Sequence, residues 1–127
     1  MVRTSGGGPF PVQVATTGTS GFALTAGTPT IITYTAPASG GPWPMTVFAQ
    51  LNVSSSTTNG EVVFNTPGYS PVYFNGSKGT GQYFFPDGAS AGTTWMAIAG
   101  QNFNLQQSSG LVAGAATVYA AFYVWLP

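Results

Sequence analysis

Hydrophobic and polar residues alternate along residues 45–53. One face carries Met45, Val47, Ala49, Leu51 and Val53, and the other carries Thr46, Phe48, Gln50 and Asn52. Because successive side chains of a strand point to opposite faces, this period of two predicts a β-strand with one core face and one mostly polar face.

The rest of the chain repeats this design in shorter form. Clusters of Gly, Pro, Ser, Thr and Asn recur every eight to twelve residues and separate runs rich in Val, Ile, Thr, Tyr and Phe. This spacing is typical of an all-β protein and predicts an antiparallel β-sandwich without helices. The predicted strands are 11–16, 21–24, 30–36, 45–54, 61–65, 72–75, 82–85, 94–99, 102–106 and 116–126. The dipeptides Asn59-Gly60, Asn75-Gly76 and Asp87-Gly88 favour tight turns, because these residues accept positive φ.

The last predicted strand has two apolar faces. Val118, Ala120, Phe122, Val124 and Leu126 alternate with Tyr119, Ala121, Tyr123 and Trp125. In a small antiparallel sandwich a second apolar face needs an additional cover, either a loop of the same chain or another subunit. We favour the second alternative, which makes Tyr119, Ala121, Tyr123 and Trp125 the candidate subunit interface. The surrounding apolar run is too short to cross a bilayer as a helix, and its β-branched and aromatic residues favour a strand.

The first twenty residues differ in composition from the rest. They are rich in Gly, Pro and Thr, which predicts a flexible arm over 1–20 and a single β-sandwich domain over 21–127. The arm is either a disordered leader or a segment that becomes ordered on a partner, with Val2, Arg3 and Phe10 as docking residues. Its start has no apolar run of the secretory kind, so we expect the chain to fold in a cytoplasm.

Charge is scarce. Arg3, Glu61, Lys78 and Asp87 are the four formally charged residues, and the chain contains neither His nor Cys. Soluble domains usually carry charge on about a quarter of their residues, so a neutral, aromatic-rich chain indicates a subunit that packs against others. Two cations cannot neutralise a row of phosphates or attract an anionic membrane, so neither nucleic acid nor membrane is an expected partner.

The missing residue types also argue against an enzyme. Hydrolase triads need His or Cys, and a glycosidase would have to use Glu61 with Asp87, two residues that are more simply explained as surface or turn residues. No acidic cluster indicates a calcium site, and no cofactor is expected.

Carbohydrate binding is the alternative function. Trp43, Tyr69 and Trp95 are the candidate stacking residues, with Tyr73 as a further aromatic near a loop. Gln101, Asn102 and Asn104 are candidate donors and acceptors for sugar hydroxyls. Trp43 lies between two prolines, which suits a rigid protein contact equally well, and Trp95 begins a predicted strand, where packing is the simpler explanation.

Three segments resemble a known family. Residues 28–37 (TPTIITYTAP), followed by Gly40 and the strand 47–53 (VFAQLNV), are similar to the opening of small jelly-roll proteins of tailed bacteriophages. Residues 81–85 (GQYFF), the Ala-Gly-Thr turn at 91–93 and the strand 116–124 (ATVYAAFYV) resemble their end. The resemblance extends from about Thr28 to Leu126, and the sequence departs from it at the insertion Gly41-Pro42-Trp43-Pro44.

This resemblance implies a jelly-roll virion protein without catalytic residues. The implied role is a capsid decoration or cement protein, often a homotrimer, bound to the major capsid protein on the virion surface after synthesis in the host cytoplasm. Val2, Arg3, Phe10 and Trp43 would then dock to the capsid. A fibre head that binds glycan is the alternative, and a coat subunit that forms the shell itself is a weaker one.

Overall fold

The computed structural model describes residues 10–65, 72–74, 77–84 and 95–126. Every regular element in these ranges is a β-strand. The strands are β1 (Phe10–Thr16), β2 (Phe22–Ala23), β3 (Thr30–Thr35), β4 (Trp43–Asn59), β5 (Val62–Asn65), β6 (Val72–Phe74), β7 (Gly81–Phe84), β8 (Trp95–Ala97), β9 (Asn102–Gln107) and β10 (Leu111–Leu126).

The strands form two sheets. A six-stranded sheet has the order β1-β10-β4-β7, with β2 also paired to β10 and β8 to β4. A four-stranded sheet has the order β3-β9-β5-β6. All the described pairings are antiparallel and the two sheets pack face to face, so the predicted antiparallel β-sandwich is confirmed. The jelly-roll connectivity stays a prediction.

The core lies between the sheets, where the alternating pattern places it. In β4 the five residues of the predicted core face, from Met45 to Val53, are at most 7% exposed, as predicted. The ring of Phe64, from the four-stranded sheet, contacts Phe122 and Trp95 of the other sheet at centroid distances of 5.3 and 5.0 Å. Each fully buried side chain of this size stabilises the fold by roughly 1.5–3 kcal/mol, so this cluster stabilises the packing of the two sheets.

Strand β10 buries one of its two apolar faces. Val118, Phe122 and Val124 are fully buried. The other face is half-buried at Tyr119, Ala121 and Tyr123 and exposed at Trp125. Within a single chain, therefore, the described residues cover the inner apolar face of β10 and leave the outer one partly open.

The long pairing of β10 with β4 includes a bulged segment. The register shifts at Leu111/Ala113, Ala113/Ala115 and Ala115/Ala116. Strand β10 begins at Leu111, five residues before the predicted start at Ala116. Gly114 sits in this segment with φ +87°, and a Cβ there would collide with the carbonyl oxygens of Ser55 and Ser56. Bulges of this kind bend a strand and increase its twist.

Residues 10–16 of the predicted arm over 1–20 form a strand, as the separate prediction of a strand at 11–16 expects. These residues form β1, which pairs with β10 from Phe10↔Leu126 to Thr16↔Ala121. The free edge of β10 carries backbone donors and acceptors that a neighbouring strand can satisfy, and Pro11 is tolerated because β1 is an edge strand. Among the described residues, the sandwich therefore includes residues 10–16. Residues 1–9 lie outside the described ranges.

Two local features match the chemistry of the sequence. Asn59 and Gly60 have φ of 61° and 82°, as the predicted Asn-Gly turn requires, whereas the other two predicted turns lie outside the described residues. Gln107 is fully buried, and its amide is hydrogen-bonded to backbone atoms of Thr25 and Ser109.

Candidate interaction face on the six-stranded sheet

The pairing of β4 with β10 places the outer residues of the two strands side by side. Tyr119 lies opposite Gln50, Ala121 opposite Phe48, and Tyr123 opposite Thr46. Because partners in an antiparallel pair point to the same side, the outer residues of both strands form one continuous surface. Neighbouring strands extend it on either side. We call this surface the aromatic face, and it comprises Gln13, Thr46, Phe48, Gln50, Phe84, Tyr119, Ala121, Tyr123 and Trp125.

Large apolar groups on this face are accessible to solvent. Phe48 is 62% exposed, Phe84 65% and Trp125 36%, while Tyr119 and Tyr123 are half-buried. The rings of Phe48 and Tyr123 meet edge to face at 5.6 Å, so the residues support one another across the strand pair. A contiguous exposed aromatic surface of this kind marks an interaction site more often than it marks ordinary surface.

Hydrogen bonds fix the orientation of the rings. The Tyr123 hydroxyl donates to Gln13 Oε1 at 3.1 Å, and Trp125 Nε1 donates to Thr46 Oγ1 at 3.4 Å. Gln50 is held by a bond from its Nε2 to Asn52 Oδ1 at 2.6 Å. None of the nine residues of the aromatic face carries a formal charge, so its polar interactions are those of neutral amides and hydroxyls.

The middle of the face is a depression of about 790 Å³ that is open to solvent. Along β10, Ala121 stands between two tyrosines, and its small side chain leaves the space that the larger neighbours surround. Residues from the loop after β1 line another side. The described residues that line the depression carry no charge. They are Gln13, Thr16, Thr17, Gly18, Thr19, Thr46, Val47, Phe48, Ala49, Gln50, Phe84, Trp95, Tyr119, Ala120, Ala121 and Tyr123.

Two of the candidate glycan-stacking residues, Trp43 and Trp95, belong to the core. Trp43 is 8% exposed and its ring packs against Gly40 and Gly41, while Trp95 is 3% exposed and packs edge-on against Phe64. The pairing of β4 with β8 explains this outcome, because it places both side chains on the inward side with Met45. Burial agrees with packing as the simpler explanation for Trp95, and it leaves little of either ring for a partner or a glycan. The docking and glycan roles of Trp43 and the glycan role of Trp95 stay predictions. Trp95 borders the depression, but its ring is not available to a ligand.

Several predicted residues lie outside what the structure describes. Val2, Arg3 and Tyr69 are not in the described ranges, and of Phe10 and Tyr73 only the backbone is described. Their proposed roles in docking and glycan contact stay predictions.

The predicted sugar-binding amides lie on the other side of the sandwich. Asn104 accepts a bond from Asn65 Nδ2 at 2.7 Å, and Asn102 donates to Thr35 Oγ1 at 2.8 Å, both on the outer face of the four-stranded sheet. Gln101 accepts from the Ile98 backbone N–H at 3.1 Å. The structure therefore separates these amides from the exposed rings of the aromatic face.

The sequence did not single out Phe48, Phe84 or Gln13. Phe48 was the strongest available signal, because it is an aromatic residue on an otherwise polar face of its strand. Phe84 and Gln13 join the site only through long-range pairing: Phe84 lies opposite Gln50, and Gln13 opposite Tyr123.

Charged side chains do not form a reactive cluster in the described ranges. No group of three or more His, Cys, Asp or Glu residues is found there. Glu61 accepts a hydrogen bond from Ser108 Oγ at 3.0 Å, and Asp87 lies outside these ranges. No helix in the described part of the chain is long and apolar enough to cross a membrane.

Comparisons of this chain with protein-family models, with curated proteins and with solved structures find no match.

Proposed function

We propose that this protein is a non-catalytic structural subunit of a bacteriophage virion, a capsid decoration protein that forms a homotrimer and binds the major capsid protein. The observation that supports this proposal is the aromatic face, an uncharged surface of exposed and half-buried rings on a rigid sheet. The resemblance to small jelly-roll virion proteins supplies the biological setting.

The chemistry of the face is that of a protein contact. Aromatic residues are enriched in protein interfaces, and charged residues are depleted from their centres. The sequence as a whole has the same bias, with four charged residues among 127. A decoration subunit needs contact surfaces and a stable β core, and it needs no reactive side chains.

The expected energies favour a symmetric assembly over a single contact. Two aromatic side chains that become fully covered contribute at most about 3–6 kcal/mol, at roughly 1.5–3 kcal/mol each. Association costs about 4–15 kcal/mol, so one such contact alone is close to break-even. Contacts repeated around a ring, and several subunit contacts with one shell, raise the effective affinity far above that of one patch.

Light scattering across a dilution series tests the self-association. We expect a mass of three chains that persists at low concentration. This mass should change little between about 0.05 M and about 0.5 M sodium chloride. Salt screens interactions between charges, and the aromatic face has no charged residues. A single-chain mass at every concentration would contradict the proposal, and a strongly salt-dependent mass would assign the contact to a charged surface instead.

Binding to the shell needs its own test. We expect the purified protein to co-sediment with phage capsids that lack it and to raise the temperature at which they disrupt. A variant without residues 2–9 should keep the fold and the trimer but bind capsids more weakly if this segment docks. Undiminished capsid binding by the truncated protein would exclude Val2 and Arg3 from docking.

Carbohydrate binding is the second candidate, and the depression is the observation that favours it. Tyr119 and Tyr123 could stack on a sugar ring, while the amides of Gln13 and Gln50 could bond its hydroxyls. Screening on a glycan array tests this function, with Tyr119→Ala as the variant and Asn102→Ala, on the opposite sheet, as the control. Binding that is lost in the first and kept in the second would establish the depression as the sugar site.

A further inference from the structure

We propose that Asn59 is a site of spontaneous chemical modification, at which the side-chain amide is converted through a cyclic imide to aspartate and isoaspartate when the Asn59-Gly60 turn opens. Asn59 is not part of the aromatic face, so the modification is independent of the contacts in the proposed function.

The Asn59-Gly60 dipeptide carries both reacting groups. The Gly60 backbone nitrogen loses its proton to solvent and attacks Cγ of Asn59, so that a C–N bond forms and the side-chain nitrogen leaves as ammonia. Water then adds to one of the two carbonyls of the imide, which gives aspartate or, with the main chain running through Cβ, isoaspartate. Water is the co-reactant, and the oxidation state does not change. Glycine in the second position favours ring closure, because it has no Cβ to hinder its nitrogen and its backbone is the least restricted.

The Asn59 side chain is free to react. Asn59 is exposed, and its amide has no hydrogen bond to a residue in the described ranges. The backbone N–H of Asn59 donates to Ser77 Oγ at 3.2 Å, a bond that holds the main chain and leaves the side chain free to rotate. Rotation about χ1 brings Cγ towards the nitrogen of the next residue.

The other four asparagines in the described ranges are held in place. All four lie in strands, and hydrogen bonds fix their amides: Asn52 accepts from Gln50, Asn65 donates to Asn104, and Asn102 donates to Thr35. The residues that follow them are all bulkier than glycine, namely Val53, Thr66, Phe103 and Leu105. Among the described asparagines, the structure therefore singles out Asn59.

Ring closure requires the turn to open first. Asn59 and Gly60 have φ of 61° and 82°, and Gly60 is buried where a Cβ would lie 2.9 Å from Leu111 Cδ1. The attack needs different backbone dihedrals at Asn59, so Gly60 must move away from Leu111. Asn59 is the last residue of β4, at the end of its pairing with β10, and strand ends open at a lower free-energy cost than strand centres.

The products change both the charge and the backbone at this point. The chain has two acidic and two basic residues, so one new carboxylate makes it a net anion, and the new charge lies two residues from Glu61. Isoaspartate also lengthens the main chain by one carbon, which a turn with positive φ at both residues does not accommodate. We expect the isoaspartate form to lose the pairing of residue 59 with Leu111 and to unfold at a lower temperature than the amide form.

Peptide mapping of the folded protein, incubated in mildly alkaline buffer, tests the site. Chymotrypsin separates Asn59 from Asn75, which also precedes a glycine, because it cleaves after Phe64 and Tyr73. We expect acid at position 59 to form at least on the order of tenfold faster than at the four strand asparagines. Methylation by an isoaspartyl methyltransferase identifies the isoaspartate. Asn59→Gly, which accepts the positive φ, should remove the product from this peptide.

Two substitutions on β10 test whether opening of the turn controls the rate. Leu111→Ala removes the side chain that packs on Gly60, so Asn59 should convert roughly tenfold faster than in the wild type. Val112→Ala is the matched control, because Val112 is the next residue and is 70% exposed, and the wild-type rate is expected. Asn104 in the Leu111→Ala protein reports any general loss of stability, and its rate should change much less.

The protein unfolded in urea gives the reference rate. An Asn59 that stays intact in the folded protein while it converts in urea would overturn the proposal, because the turn would then protect it. Conversion of the strand asparagines as fast as Asn59 would overturn the selectivity. Equal rates at Asn59 in the Leu111→Ala and Val112→Ala proteins would overturn the control by turn opening.

Discussion

Gln107 connects segments that are far apart in the chain through one buried side chain. Its Oε1 accepts from the Thr25 N–H at 3.0 Å, and its Nε2 donates to the Thr25 carbonyl at 2.6 Å and to the Ser109 carbonyl at 3.1 Å. The amide therefore pairs with the backbone of Thr25 as a neighbouring strand would. A buried amide is stabilising only while its partners are satisfied, so this position tolerates few replacements.

We expect Gln107→Leu to lower the free energy of unfolding by about 2–4 kcal/mol, because the Thr25 N–H loses its Oε1 partner and the Ser109 carbonyl its donor. Urea unfolding measures the loss. Gln106→Leu is the matched control, since Gln106 is half-exposed on the outer face, and its effect should be small. Equal losses in the two variants would contradict the role of the buried amide.

The ionisation of Tyr34 makes the free energy of unfolding depend on pH in the alkaline range. Burial raises the pKa of its phenol above the ordinary value of 10.0. The unfolded chain then loses this proton first, so the contribution is fully present below about pH 10 and is lost as the pH rises through the raised pKa of the folded state. We expect the unfolding free energy to fall above pH 10 and to fall less in Tyr34→Phe. Parallel pH profiles of the two proteins would exclude Tyr34 as a source of the decline.

At the level of the elements, β4 and β10 form the central strand pair of the six-stranded sheet. They are the two longest described strands, of 17 and 16 residues. The other four strands of the sheet pair with one of them: β1 and β2 with β10, and β7 and β8 with β4. The bulged segment around Gly114 lets this pair continue beyond the core to the turn at Asn59. There the strands are close enough that the carbonyls of Ser55 and Ser56 occupy the space a side chain would need.

Gly114→Ala should therefore destabilise the protein by about 3 kcal/mol or more, since a strained backbone adds to a collision with β4. Gly100→Ala is the control, because Gly100 has a similar φ of +79° but open space around its Cα. We expect it to cost about 1–2 kcal/mol from φ alone. Thermal or urea unfolding compares the two, and equal costs would mean that the bulge relaxes without loss.

Sequence patterns predicted the elements more fully than their ends. All ten strands appear near their predicted places, because alternation and turn residues are local signals. The extension of β4 from Ser55 to Asn59 was missed, because small polar residues resemble a turn. That segment is extended because it pairs with β10, and Thr57 also bonds Lys78 of the neighbouring segment.

At the scale of the whole molecule, the fold class followed from the sequence and the site did so only in part. The outer residues of β10 were identified, since two apolar faces on one strand are visible locally. The position of Phe48 beside Tyr123, and of Phe84 beside Gln50, depends on which strands become neighbours and in which register. The same long-range pairing buries Trp43, a docking candidate, and Trp95, for which the sequence already favoured packing.

The pairing of Phe10 with Leu126 has a mechanical consequence. The chain enters the sandwich beside the point where it leaves, so a force that separates these two residues acts on one end of the β1–β10 pair. The hydrogen bonds of that pair would then break one after another, each worth only about 0.5–1.5 kcal/mol, and not all at once. Tension applied through the two ends would peel β1 away at low force, while the long β4–β10 pair behind it would not yet bear the load.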